Sequence, residues 1–107
     1  LDEQADQILA MIDILAERVR KLGKLTIHSI SQIGQLQTIR DDNDHYVEPH
    51  KMIQRLLEDN KHFTAHMRKV HKVCSAREDV ATTSLLETFI DETERRTWFL
   101  YETQRSV

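Results

Sequence analysis

Four carboxylates fall on one edge of the first helix-forming stretch, LDEQADQILAMIDILAERVRKLG at residues 1–23. At about 100° per residue, the eleven positions from Asp2 to Asp13 return to nearly the same azimuth, about three turns on. Asp2 and Asp6 stand one turn apart, and so do Asp13 and Glu17. Like charges at that spacing cost about 0.2–0.5 kcal/mol per pair in an isolated helix. A bound cation would reverse the sign, because hard and borderline metals take carboxylate oxygens. The plainer reading of the same spacing is a solvated acidic edge, partly paired with Lys or Arg.

Three other groups could do chemistry. Glu58, His62 and His66 recur one turn apart, which would let one helix face hold zinc or copper; a solvent-facing pair of histidines has the same pattern. Asp41, Asp42, Asn43 and Asp44 look like the opening of a calcium loop. The glycine and the distal bidentate Glu of that loop are missing, so the four residues read as a turn. The single cysteine, Cys74, excludes an internal disulfide and fits a reducing compartment. Its apolar helix position marks it as a core thiol.

The elements that carry these residues follow from periodicity. The first helix has a wide apolar sector. Ala5, Leu9, Ile12, Ala16 and Val19 form one stripe, with Ile8, Met11, Leu15 and Leu22 beside it. The two span roughly 160°, against the ~100° that a surface helix of a small bundle needs. A helix buried on two sides, with acids at the rim, points to a subunit interface with a site in it. Arg18, Arg20 and Lys21 favour its C-terminal end, and Gly23 suits the left-handed position beyond it. Ile27, Ile30, Ile33 and Leu36 recur within residues 25–39 and predict a short amphipathic helix that covers apolar groups, including those of a neighbouring chain.

A loop is expected at 40–48, then Pro49 in the first turn of a helix reaching about Cys74. Its expected stripe is Met52, Leu56, Phe63, Met67, Val70 and Cys74, flanked by Ile53, Leu57 and Val73. The last helix is expected over about Val80–Arg105. Its stripe is Leu86, Phe89, Thr93, Thr97 and Leu100, with Leu85, Ile90 and Trp98 beside it. The pairs Asp91 with Arg95 and Glu92 with Arg96 read as a solvated face. Glu102–Val107 reads as a short polar tail.

The totals agree with an all-α class. The chain has 107 residues, 31% charged, with 2 Gly and 1 Pro, which fits one domain of long helices with few turns. A net charge of −3 gives no general attraction to nucleic acid. No apolar run approaches the ~20 residues that span a bilayer, and no signal peptide is visible. Three long helices would leave an open groove. A fourth is expected upstream of Leu1, because the first stretch starts already in progress.

Asp13-Ile-Leu-Ala-Glu17-Arg18, with a helix end at Leu22-Gly23, resembles the D-x-x-x-E signature of Dps proteins, the bacterial mini-ferritins. Asp2 matches the upstream acid of that signature. The short helix at 26–38 resembles the one in the long middle connection of Dps proteins. Glu92-Thr-Glu94-Arg-Arg-Thr-Trp98-Phe-Leu is similar to the ending of their last helix. The resemblance spans nearly all of the chain.

It implies a ferritin-like four-helix bundle subunit, one domain over 1–107 that is N-terminally incomplete, in a hollow dodecameric shell. It implies oxidation of Fe(II), preferably with hydrogen peroxide, and storage of the Fe(III) mineral. The ferroxidase site would lie between two subunits, with Asp13 and Glu17 as iron ligands from one and Asp2 from the other. The family's histidine ligands would fall before Leu1, so either that segment is cleaved, a separate chain or left out, or the protein has lost ferroxidase function; the first group is favoured. Asp79 and Glu87 are the nearest candidates for the acidic pores that admit iron. The resemblance places the protein in the bacterial cytoplasm and nucleoid and allows DNA as a partner, although no basic tail is present. The alternatives are a DNA-compacting protein and a structural helical bundle without ferroxidase activity.

Overall fold

The computed structural model describes residues 2–105; Leu1, and Ser106 and Val107 of the expected tail, lie outside them. Four helices follow in order: α1 (Asp2–Lys21), α2 (Ile30–Leu36), α3 (Pro49–Ala76) and α4 (Val80–Arg105). No strand occurs among the described residues. No helix is long and apolar enough to cross a membrane. The chain divides between Thr38 and Ile39 into two compact units.

In the first unit, α1 carries Asp2 and Glu3 in its first turn and Arg18, Arg20 and Lys21 in its last, which complements the helix dipole. It stops as Gly23 predicted. The Lys24 N–H donates to the Val19 carbonyl (3.1 Å) and the Gly23 N–H to that of Arg20 (2.9 Å). This Schellman pair needs a left-handed residue, and Gly23 takes φ +82° with open space around it. Helix α2 starts at Ser29, whose hydroxyl accepts from the Gln32 N–H at 3.1 Å. The Gln32 side chain reaches back to accept from the His28 N–H at 3.0 Å, a variant of the capping box. No residue of α2 is buried; Ile30 and Ile33 stand exposed.

The second unit is an antiparallel hairpin of α3 and α4. Pro49 occupies the first turn of α3, and Glu48 before it is extended, as a pre-proline residue must be. Residues 77–79 join the helices through a second Schellman-type turn, in which Asp79 N–H donates to the Cys74 carbonyl (2.9 Å) and Glu78 N–H to that of Ser75 (3.0 Å). Its left-handed residue is not a glycine but Glu78, at φ 60°.

The buried line of α4 is Leu86, Phe89, Thr93, Arg96 and Leu100. The expected stripe is met except at one point: Arg96, assigned to a solvated pair with Glu92, is 2% exposed, while Thr97 is half-buried. On α3 the buried residues are Leu57, Asn60, Thr64 and Met67. Met52, Leu56 and Val70 of the expected stripe are exposed, and Cys74, expected in the core, is half-buried. Counting only apolar side chains set the α3 stripe off the true axis, because two positions of the buried line are polar.

Candidate functional site

Asp2, Asp6, Asp13 and Glu17 are all exposed along α1. They lie on one edge, as the spacing predicted. The edge stands about 160° around the helix from Met11, the one buried residue of α1 among the described residues, at 2% exposed. The apolar stripe beside the acids is not buried: Leu9 is 67% and Ile12 59% exposed. A surface depression lined by Asp6, Leu9, Ala10, Ile12, Asp13 and Ala16 joins the two. The carboxylates therefore border open aliphatic surface. That arrangement presents anionic oxygens along an open surface. Among the described residues, no three His, Cys, Asp or Glu side chains are gathered closely enough to hold a metal ion.

The two pore candidates have local partners. Asp79 caps α4: its carboxylate accepts from the Thr82 N–H at 3.2 Å and from the Thr82 hydroxyl at 2.6 Å, the role of an N-cap Asp. Glu87 faces α3, with its Oε2 2.8 Å from His71 Nε2. Arg68 and Glu94 form a second cross-helix pair at 2.9 Å. His71, Glu87, Arg68 and Glu94 line one depression with Lys72 and Asp91. Sequence spacing gave no sign of these pairs, whose members lie on different helices.

The other candidates stay apart. His62 and His66 are exposed on α3, and Glu58 accepts from Gln54 Nε2 at 3.4 Å. The acidic loop is tied to α3. Arg55 Nη1 donates to Asp42 Oδ2 (2.6 Å) and Asp44 Oδ2 (2.9 Å), and Asp42 Oδ1 accepts from the Asp44 N–H at 3.1 Å. The hydrogen bond from Arg55 holds the Asp42 carboxyl below its ordinary value, with the Asp44 N–H adding to the effect.

A model of the ferritin-like domain family matches residues 1–106. Among solved structures, the chain is similar to the Dps protein of Vibrio cholerae O1, a member of a broad superfamily of ferritin-like diiron-carboxylate proteins, with a TM-score of 0.88 at 24% identity. The likeness covers 94% of this chain and 63% of that one, so this chain spans less than two thirds of the relative's length. No curated protein matches it. The chain belongs to the ferritin-like domain family and has the all-α fold of a Dps protein.

Proposed function

We propose that this protein oxidises Fe(II) and stores the Fe(III) product in a hollow shell of identical subunits, as a ferroxidase of the Dps type. The observation that carries this reading is the exposed edge of α1, which carries Asp2, Asp13 and Glu17 and where Asp13 shares a depression with the uncovered side chains of Leu9 and Ile12. An exposed aliphatic stripe calls for a partner surface. Ligands at the rim of such a stripe suit a site completed by a second subunit. Asp13 and Glu17 then bind iron from one subunit and Asp2 from the other.

Iron is the substrate here. Carboxylate oxygens are hard donors and stabilise Fe(III) more than Fe(II), which favours loss of the electron. Two Fe(II) ions and two protons reduce one hydrogen peroxide to two waters, so both Fenton reactants disappear together. The expected setting is the bacterial cytoplasm, with the nucleoid protected by removal of both. A dodecamer is the expected assembly.

The deciding experiment adds Fe(II) anaerobically to the assembled protein and then peroxide, with absorbance followed by stopped flow. Rapid oxidation with iron kept in solution is expected of the wild type. Asp13→Ala with Glu17→Ala is expected to remove the fast phase while leaving the particle size unchanged by light scattering. Unchanged kinetics in the double variant would rule the site out. DNA compaction independent of iron remains the second reading. A gel shift that weakens steeply with salt in the wild type and persists in the double variant would favour it.

A further inference from the structure

Helix α4 is apolar around much of its circumference. Leu86, Phe89 and Leu100 point inward, yet Trp98, Phe99 and Tyr101 stand exposed, Trp98 at 56%. Trp98 and Phe99 rings pack at 4.9 Å between centroids, and Arg95 lies over the Phe99 ring at 5.0 Å. Burial of apolar area alone therefore does not choose one face of α4 for α3.

A polar layer at the helix–helix contact does distinguish the faces. Thr93 and Arg96 of α4 are buried at 0% and 2% exposed, opposite Asn60 and Thr64 of α3 at 8% and 6%. Arg96 Nε donates to Asn60 Oδ1 at 3.3 Å and Arg96 Nη2 to Thr93 Oγ1 at 2.8 Å. The two threonine hydroxyls and the Asn60 amide donate to helix carbonyls: Thr93 Oγ1 to Phe89 O (2.7 Å), Asn60 Nδ2 to Leu56 O (2.8 Å) and Thr64 Oγ1 to Asn60 O (2.9 Å). Among the described residues, no buried side-chain nitrogen or oxygen lacks a partner. Burial disfavours the Arg96 cation and lowers its pKa, with Glu92 opposing the shift.

We infer that the Asn60–Arg96–Thr93 layer is the selector that fixes which face of α4 is buried against α3. Buried polar groups contribute little net stability, and apolar replacements of similar volume are often neutral or better. Their effect is on the alternatives. Turning α4 by one residue, about 100°, pulls the guanidinium from Asn60 and leaves the buried Asn60 Oδ1 without its Arg96 donor, which is the costly side of hydrogen bonding. The layer thereby fixes where Trp98 and the carboxylates Glu87, Asp91 and Glu94 lie. This role does not depend on the iron reading.

Trp98 is the sole tryptophan and reports the facing directly. In the assembled protein, Asn60→Leu with Arg96→Met is expected to keep its helicity by circular dichroism. Its Trp98 emission is expected to shift to the blue, with acrylamide quenching reduced about twofold, as for two faces of similar population. Asn60→Asp, which still accepts from Arg96, is expected to keep the wild-type signature. A helical double variant with wild-type emission and quenching would overturn the inference. Should that variant lose its helicity, Thr93→Val decides, since it removes one acceptor of Arg96 at nearly constant shape. A changed Trp98 signature supports the selector, and an unchanged one overturns it.

Discussion

His71 of α3 meets Glu87 of α4 across the hairpin, with Nε2 and Oε2 2.8 Å apart. The contact occupies a carboxylate that the family resemblance made a candidate for admitting iron. Both side chains are partly solvated, at 30% and 64% exposed, so the pair itself is worth at most about 1 kcal/mol. His71→Ala and Glu87→Gln are each expected to move the thermal midpoint only slightly. If Glu87 guides iron, Glu87→Gln slows iron uptake in stopped flow while His71→Ala, which keeps the carboxylate, does not. Equal slowing by both would assign the effect to the pair's geometry and not to the charge.

Asp79 separates in the same way. Its carboxylate caps α4 through the Thr82 N–H, and loss of such a cap costs about 1 kcal/mol. Asp79→Ala is therefore expected to lower the thermal midpoint whatever iron does. Asp79→Asn keeps an acceptor of equal capping quality and removes the charge. Slower iron uptake in Asp79→Asn, with an unchanged midpoint, would give Asp79 a second role in iron access. Wild-type uptake would leave it as a cap alone.

The sequence made the ends of the helices legible because single residues decide them. Gly23 takes the left-handed position beyond α1, and Pro49 opens α3, both where their backbone preferences required. The acidic edge of α1 was legible for the same kind of reason, since one helix period sets it. The buried line of α3 was not. Its axis runs through Asn60 and Thr64, and the Asn60 amide oxygen is matched by Arg96 of another helix, 36 residues away. A periodicity of apolar residues cannot see a polar layer, so Arg96 looked like one more surface charge beside Glu92.

The α3–α4 turn stores a correctable strain. Glu78 sits at φ 60°, a conformation that costs a non-glycine residue about 1–2 kcal/mol. Glycine removes that cost and adds about 0.5–1 kcal/mol of unfolded-chain entropy. Glu78→Gly is expected to stabilise the protein by a net ~0.5–1 kcal/mol, read as a rise in midpoint by calorimetry. A fall in midpoint would show that the Glu78 side chain contributes something that its backbone conformation does not reveal.

The loop at 40–48 is held to α3 by Arg55 through Asp42 and Asp44. Asp42 has a folded pKa below its ordinary 3.8 because Arg55 donates to it. A carboxyl depressed in the folded state contributes stability above its unfolded pKa, and that contribution is lost as pH falls through the folded value. Hydrogen exchange of the loop amides is therefore expected to be independent of pH-linked anchoring near neutrality and to lose protection only below pH 3.8. Asp42→Asn is expected to weaken that low-pH transition. A transition of the same size in that variant would place the anchoring on Asp44 alone.

Leu9 and Ile12 put the proposed interface to the sharpest test. At 67% and 59% exposed, they contribute little to the fold of the chain itself. Truncating buried Phe89, at 4% exposed, is by contrast expected to cost about 3–5 kcal/mol. If the stripe beside Asp13 is covered by a second subunit, Leu9→Ser with Ile12→Ser shifts the particle to smaller species in sedimentation while helicity persists. It also removes fast Fe(II) oxidation without touching a carboxylate, because Asp2 of one subunit no longer meets Asp13 and Glu17 of the other. Asp13→Ala with Glu17→Ala gives the opposite combination, slow oxidation in an intact particle. Full-size particles with fast oxidation in the Leu9→Ser, Ile12→Ser variant would detach the exposed stripe from the site and leave the acids of α1 as solvated charge.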